Sequence, residues 1–293
     1  MIFLHWKETA MVRIVADSTC DLGPILTERY GITVLPLHVL LGDKEFRDGV
    51  DITIDDIYKW ADANKSTPKT SAPSAEDAVA VFRPILDAGD EIIAFSISAS
   101  MSASYEYMNM AAEILDAEER ISVIDSANLS TGIGLLVIEA AEMAAAGMSR
   151  MEITERIEEL KPLVRASFVV DTLVYLHRGG RCSGVAAMAG TALKLHPKIM
   201  VTDGAMHPEK KYRGRYSNIV PDYVRDMEDE LRKARPERVF ITHSSIDPDI
   251  VNSVRNYLES LNRFEEIHET RAGGVISSHC GPGTLGVLFI AGS

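Results

Sequence analysis

Short apolar runs alternate with amphipathic windows through the first half of the chain. Ile14-Val15-Ala16 stops at Asp17-Ser18-Thr19, and three more strand-length runs follow at 34–37, 92–97 and 122–124. Between them the spacing predicts helices near 54–63, 74–88, 104–117 and 130–146, with Pro84 kinking or shortening the second. Such alternation predicts a mostly parallel sheet covered by helices. Ligands of such sheets sit beyond the carboxyl ends of the strands, where Asp17-Ser18-Thr19, Ser98 and Asp125-Ser126 fall.

Ser149 and Glu152 form a capping box for a helix reaching about Leu160, and Pro162 ends it at a seam. Beyond the seam the pattern predicts strands at 167–170, 199–201, 239–242, 274–277 and 285–290. Long helices are predicted at 218–234 and 248–262, the second opened by Asp247-Pro248. The expected fold class is therefore α/β with two domains. Residues 11–163 carry a mostly parallel sheet with flanking helices, and residues 164–293 form an α+β unit. Met11 opens a stretch that reads as a start of its own, so residues 1–10 are expected to be an extension.

A chain of 293 residues, 46% hydrophobic and 25% charged, can build a sizeable core. The net charge of −13 argues against a general nucleic-acid binder, which would carry a basic stripe. Cys20, Cys182 and Cys280 make no CxxC pair, so neither a disulfide framework nor a zinc site is expected, and a reducing cytoplasm fits. No apolar segment reads as a signal peptide or a membrane span. No metal or organic cofactor is called for by any Walker, GxGxxG, HExxH or GxSxG element.

The candidate chemistry sits in six places. The tract 66–74 sets hydroxyls around Pro68 and Pro73, which bias Thr67 and Ala72 toward extended backbone and present Thr70 and Ser71 from it. Ser74 then reads as an N-cap, with Glu76 and Asp77 in the first turn; a capped turn alone explains the tract equally well. Alternate serines at 98, 100, 102 and 104 follow a buried-type strand and offer an anion cradle or an ordinary Ser-rich cap. His177-Arg178-Gly179-Gly180-Arg181 sets guanidiniums beside a flexible turn, suited to carboxylate or phosphate, or to solvent. His279-Cys280-Gly281-Pro282-Gly283 places a histidine between two expected strands, where it orients a carboxyl group, acts as a base or is simply structural. Lys210, Lys211, Arg213 and Arg215 form a basic island suited to a phosphate-bearing or acidic partner, or a solvated turn. Asp17-Ser18-Thr19 fits an acidic strand-end site or an Asx-type turn.

Taken in order, six segments resemble the DegV family of bacterial fatty-acid-binding proteins over about Val12 to Ile290. They are 17–22, 31–37, 68–74, 124–126, 175–181 and 279–283. The resemblance implies a two-domain protein holding one long-chain fatty acid in a tunnel between domains. It also implies a carrier role: the carboxyl group is presented to a separate ATP-dependent, dihydroxyacetone-kinase-like fatty acid kinase subunit, and the acyl phosphate passes to phospholipid synthesis. By motif position, Thr70, Ser71, Ser98 and Ser102 would hold the carboxyl group, with His279 supporting them and Arg178 as the nearest cation. Arg181, Lys211 and Arg213 would serve the kinase contact or phosphoryl transfer. Ala103 stands where relatives carry glycine. Candidates for the tail are residues 186–190 and Met101, Met108 and Met110, with ordinary core packing as the alternative.

Two other classes stay open. A serine hydrolase would pair Ser98 or Ser102 with His279 and Asp17 or Asp125. A regulatory binding module would use the basic island as its contact face.

Overall fold

The computed structural model describes residues 10–182, 184–185 and 195–292. Along the first part of the chain come β1 (Val12–Asp17), α1 (Gly23–Arg29), β2 (Thr33–Leu35), β3 (His38–Leu41), β4 (Lys44–Arg47), α2 (Ile54–Asn64) and β5 (Lys69–Ser71). They continue with α3 (Ala75–Asp87), β6 (Glu91–Ser96), α4 (Ser104–Ile114), β7 (Ile121–Asp125), α5 (Thr131–Ala145) and α6 (Arg150–Leu160). Strands β2-β1-β6-β7 form an all-parallel sheet in that order. Its runs are apolar almost throughout because helices cover both faces.

The later elements are β8 (Val164–Val169), α7 (Val174–Gly179), β9 (Leu195–Thr202), β10 (Ala205–Arg213), α8 (Tyr216–Arg225) and α9 (Glu228–Lys233). After them come β11 (Ala234–Ser244), α10 (Pro248–Ser260), β12 (Glu266–Arg271), α11 (Gly274–Cys280) and β13 (Thr284–Ala291). A six-stranded sheet runs β10-β9-β8-β13-β11-β12, antiparallel except for the β11–β12 pair. A further three-stranded antiparallel sheet, β4-β3-β5, contains the Thr70 tract.

Helix α5 lies between the parallel and six-stranded sheets and touches strands of both. Its residues 131–141 are all buried, as expected of a helix apolar on every side. One continuous core joins Ile14 and Phe95 of the first sheet, through Ile133 and Leu136, to Phe168 and Leu288 of the second. Glu139 on this helix pairs with Arg238 and with Arg235 at 3.1 Å.

Several expectations needed correction. Pro84 sits inside α3, which continues to Asp87, because buried Phe82 and Leu86 anchor both sides of the proline. The predicted helix at 218–234 is two helices, broken between Asp226 and Met227. The predicted strand at 274–277 is helix α11. Its Val, Ile and Ser favour a strand, but side chains from elsewhere accept its first amides and set a helical start. The basic island is not a turn: Lys210, Lys211 and Arg213 belong to β10. Short β3, β4 and β5, and polar β12, gave no periodic signal.

Ser74 caps α3 through a reciprocal box with Asp77, whose carboxylate returns to Ser74 N at 2.8 Å. Ser74→Ala should cost about 1 kcal/mol of stability, read by urea denaturation.

Candidate functional site

Thr70 stands at the middle of β5, half-buried, paired in register with Val39. Its hydroxyl lies 2.7 Å from Nε2 of His279, in the last turn of α11. The two residues line a cavity of about 310 Å³ together with Ser71, Ser102 and Arg181. The remaining wall is largely apolar, with Leu37, Ile97, Met101, Leu129 and Ile276 among its residues. A second hollow of about 20 Å³ shares Leu129, Ile276 and Cys280 with it and runs on to Phe168 and Leu288.

The His279 ring is held in one chemical state. Burial lowers its pKa to about 4, and the nearby Arg181 charge pushes the same way, so the imidazole is neutral at physiological pH. Nδ1 is buried without a hydrogen-bond partner. A buried acceptor without a partner is tolerated better than a buried N–H donor without one. The proton therefore belongs on Nε2, which donates to the Thr70 oxygen. Thr70 is then left with its own hydroxyl hydrogen to donate into the cavity. Gly179 makes this packing feasible, because a Cβ there would fall 2.6 Å from Nδ1.

Arg181 is exposed at the rim and donates to Gly179 O at 2.7 Å. Ser102 Oγ lies 2.9 Å from Ser104 Oγ at the start of α4. Ala103 adopts φ −80°, ψ 8°, a conformation open to any L-residue, so the missing glycine brings no strain here.

Ser98 is not part of the cavity wall. Its hydroxyl donates to Gly204 O at 2.7 Å, across to the β9–β10 turn, and Ser100 donates to the same carbonyl. Arg178 ends α7 exposed and outside the wall, and Lys211 and Arg213 lie exposed on β10. The structure thus brings together Thr70, Ser71, Ser102, Arg181 and His279, and leaves Ser98, Arg178, Lys211 and Arg213 elsewhere. Met101 lines the cavity, Met108 of α4 is buried in the core cluster that holds Phe82 and Ile92, and Met110 is exposed. Residues 186–190 lie outside the described residues. Ile97, Leu129 and Ile276 escaped sequence reading because a cavity wall and a solid core use the same side chains.

No hydrolase triad is assembled among the residues named for it. His279 faces Thr70 rather than Ser98 or Ser102. Asp17 accepts amides of Thr19 and Ile97, and Asp125 accepts those of Ala99 and Ala127. For Asp17 the turn reading was right: it caps the short 3₁₀ turn after β1. Burial raises its pKa to about 6.

With this geometry in view, the sequence profile of the DegV family, described as a family of uncharacterised proteins, matches residues 11–292. The chain belongs to that family. A DegV domain-containing protein of Caldanaerobacter subterraneus subsp. tengcongensis is 32% identical over 280 residues, 95% of this chain and 98% of its own. A solved fatty-acid-binding DegV family protein of Thermus thermophilus superimposes with a TM-score of 0.88 at 30% identity, covering 96% of this chain and 99% of its own. DegV of Bacillus subtilis, a fatty acid binding protein, gives 0.83 at 26% identity, covering 97% and 100%. A stearic-acid-binding protein of Eubacterium ventriosum gives 0.84 at 28%, covering 96% and 98%. Among the described residues no helix is long and apolar enough to cross a membrane.

The buried imidazole has a stability signature. Folded His279 stays neutral down to about pH 4, whereas the unfolded ring takes up a proton below 6.5. Its contribution is therefore intact above 6.5 and declines between 6.5 and 4, by up to about 3 kcal/mol. Asp17 opposes this trend, since its raised pKa lets the folded state bind a proton first as pH falls. The informative quantity is thus the difference between wild type and His279→Gln in denaturation midpoint across pH 4–7. A flat difference would contradict the buried neutral ring.

Proposed function

We propose that this chain binds one long-chain fatty acid, with its carboxylate at the Thr70–His279 end of the cavity and its tail directed along Met101, Leu129 and Ile276. The observation that carries this reading is the Thr70 hydroxyl, 2.7 Å from the His279 ring on the wall of a cavity that is otherwise mostly apolar. The fatty acids named for the Thermus thermophilus, Bacillus subtilis and Eubacterium ventriosum proteins support the ligand class.

The energetics divide between the two ends of the ligand. A tail of about fifteen methylenes yields roughly 12 kcal/mol gross at about 0.8 each, before association and ordering costs. The head group fixes placement and adds a smaller share of the affinity. An ionised carboxylate away from water needs donors, and Thr70, Ser71 and Ser102 supply hydroxyls while Arg181 supplies charge at the rim. Ser98 has no place in this head-group set, because its proton already goes to Gly204. The tail reaches toward Phe168 and Leu288 by parting Leu129 and Ile276, two of the three residues shared by the two hollows.

In this reading the residues before and after about 163 act as two lobes around the lipid in the cytoplasm, and the protein is a carrier rather than an enzyme. The exposed cations Arg178, Arg181, Lys211 and Arg213 receive an ATP-dependent kinase subunit. One carboxylate oxygen attacks the γ-phosphorus, giving an acyl phosphate for phospholipid synthesis and ADP as leaving group. Arg181 belongs to both surfaces, since it lies at the cavity rim.

Solvent extraction and mass spectrometry of the purified protein should release close to one long-chain fatty acid per chain. Thr70→Val keeps the shape and removes the donor, and should weaken oleate binding roughly tenfold. Protein that carries no lipid and fails to take up added oleate would sink this reading.

A further inference from the structure

Helix α11, which carries His279, has no capping side chain of its own. Its first amides are claimed from a distance. Gly274 N donates to Asp48 Oδ1 at 2.7 Å and Val275 N to Asp48 Oδ2 at 3.3 Å, while Gly273 N donates to Asp21 Oδ1 at 2.8 Å. Asp48 follows β4 and is only 3% exposed.

The same carboxylate also reaches the opposite cavity wall. Ser18 Oγ donates to Asp48 Oδ2 at 2.9 Å and accepts from Leu37 N at 3.1 Å. Asp48 N in turn donates to Leu37 O at 2.8 Å. Leu37 lines one side of the cavity, and Val275, Ile276, His279 and Cys280 of α11 line the other. The Asp48 carboxylate therefore bonds Val275 of the cavity wall, Gly274 next to it, and Ser18, which in turn holds Leu37.

We infer that Asp48 is a positioning residue, whose carboxylate sets the placement of α11 against Leu37 and so brings His279 to Thr70. A seven-residue helix that opens on two glycines and contains Val and Ile has little tendency to hold itself in place. Its end anchors decide where it lies. Burying a carboxylate is costly unless donors surround it, and an apolar residue would fill the space more cheaply. What an apolar residue lacks is two oxygens that accept converging amides and a hydroxyl together. Asparagine keeps the shape but offers one accepting oxygen, so it must turn an NH₂ group toward a donor. Gly274 completes the fit, because a Cβ there would fall 2.8 Å from Asp48 Oδ1.

The affinity arm of the test rests on the fatty-acid reading; the spectroscopic arm does not. In ligand-free protein, long-range ¹⁵N–¹H spectra should report a neutral His279 protonated at Nε2. Asp48→Asn should replace that signature by mixed tautomers and weaken oleate binding roughly tenfold, at circular-dichroism spectra like wild type. Ser18→Ala, a gentler break in the same network, should do both to a smaller extent, about threefold in affinity. Ile153→Val in α6 loses core packing away from the cavity and should move neither readout. If Asp48→Asn does not fold, Ser18→Ala decides. Wild-type tautomer and affinity in the folded Asp48→Asn protein, or in Ser18→Ala when it alone folds, overturns the assignment. Absence of oleate binding by wild type instead removes the lipid reading and leaves the tautomer arm to decide.

Discussion

The contact between the Thr70 hydroxyl and His279 joins positions 209 residues apart, and the shape of the cavity depends on it. An imidazole so buried must stay uncharged, which leaves each ring nitrogen a single role. One nitrogen donates to threonine, and the other faces a glycine that has no side chain to obstruct it. The β4-β3-β5 sheet supplies the hydroxyl and the helix before β13 supplies the ring, so neither part of the chain makes the site alone.

Buried Asp17 and Asp21, with half-buried Asp125, hold this arrangement together. Asp17 ties the end of β1 to the loop after β6, Asp21 ties Ser130 to Gly273, and Asp125 ties the residue after Ser98 to the turn at Ala127. Burial raises the pKa of Asp21 well above the usual carboxylate range, and backbone and hydroxyl donors pull it back. These acids stand where a parallel sheet ordinarily meets its ligand, yet they are spent on the chain's own amides. The cavity lies to one side of them, under the three-stranded sheet.

Much of the parallel layer was legible in the sequence, because period and capping agree there. The four strands and helices α2 to α6 fall close to their predicted spans, and Ser74 and Ser149 cap as read. Helix α11 was misread because its conformation is imposed by Asp21 and Asp48, far away in sequence and invisible to any local window. Thr70, Ser71, Ser102, Arg181 and His279 were named from the chain and do converge on one cavity. Ser98 was misassigned to the head group for a simple reason. A serine at a strand end looks the same in sequence whether its hydroxyl faces a ligand or a neighbouring carbonyl.

That carbonyl has a mechanical meaning. Gly204 forms the tip of the long hairpin made by β9 and β10, and two serines of the opposing loop grip its oxygen. Any excursion that peeled this hairpin outward would have to surrender both grips at once. The hairpin tip is thus a fixed abutment, and the cavity meets solvent on another flank, at Ser71, Tyr107 and Arg181.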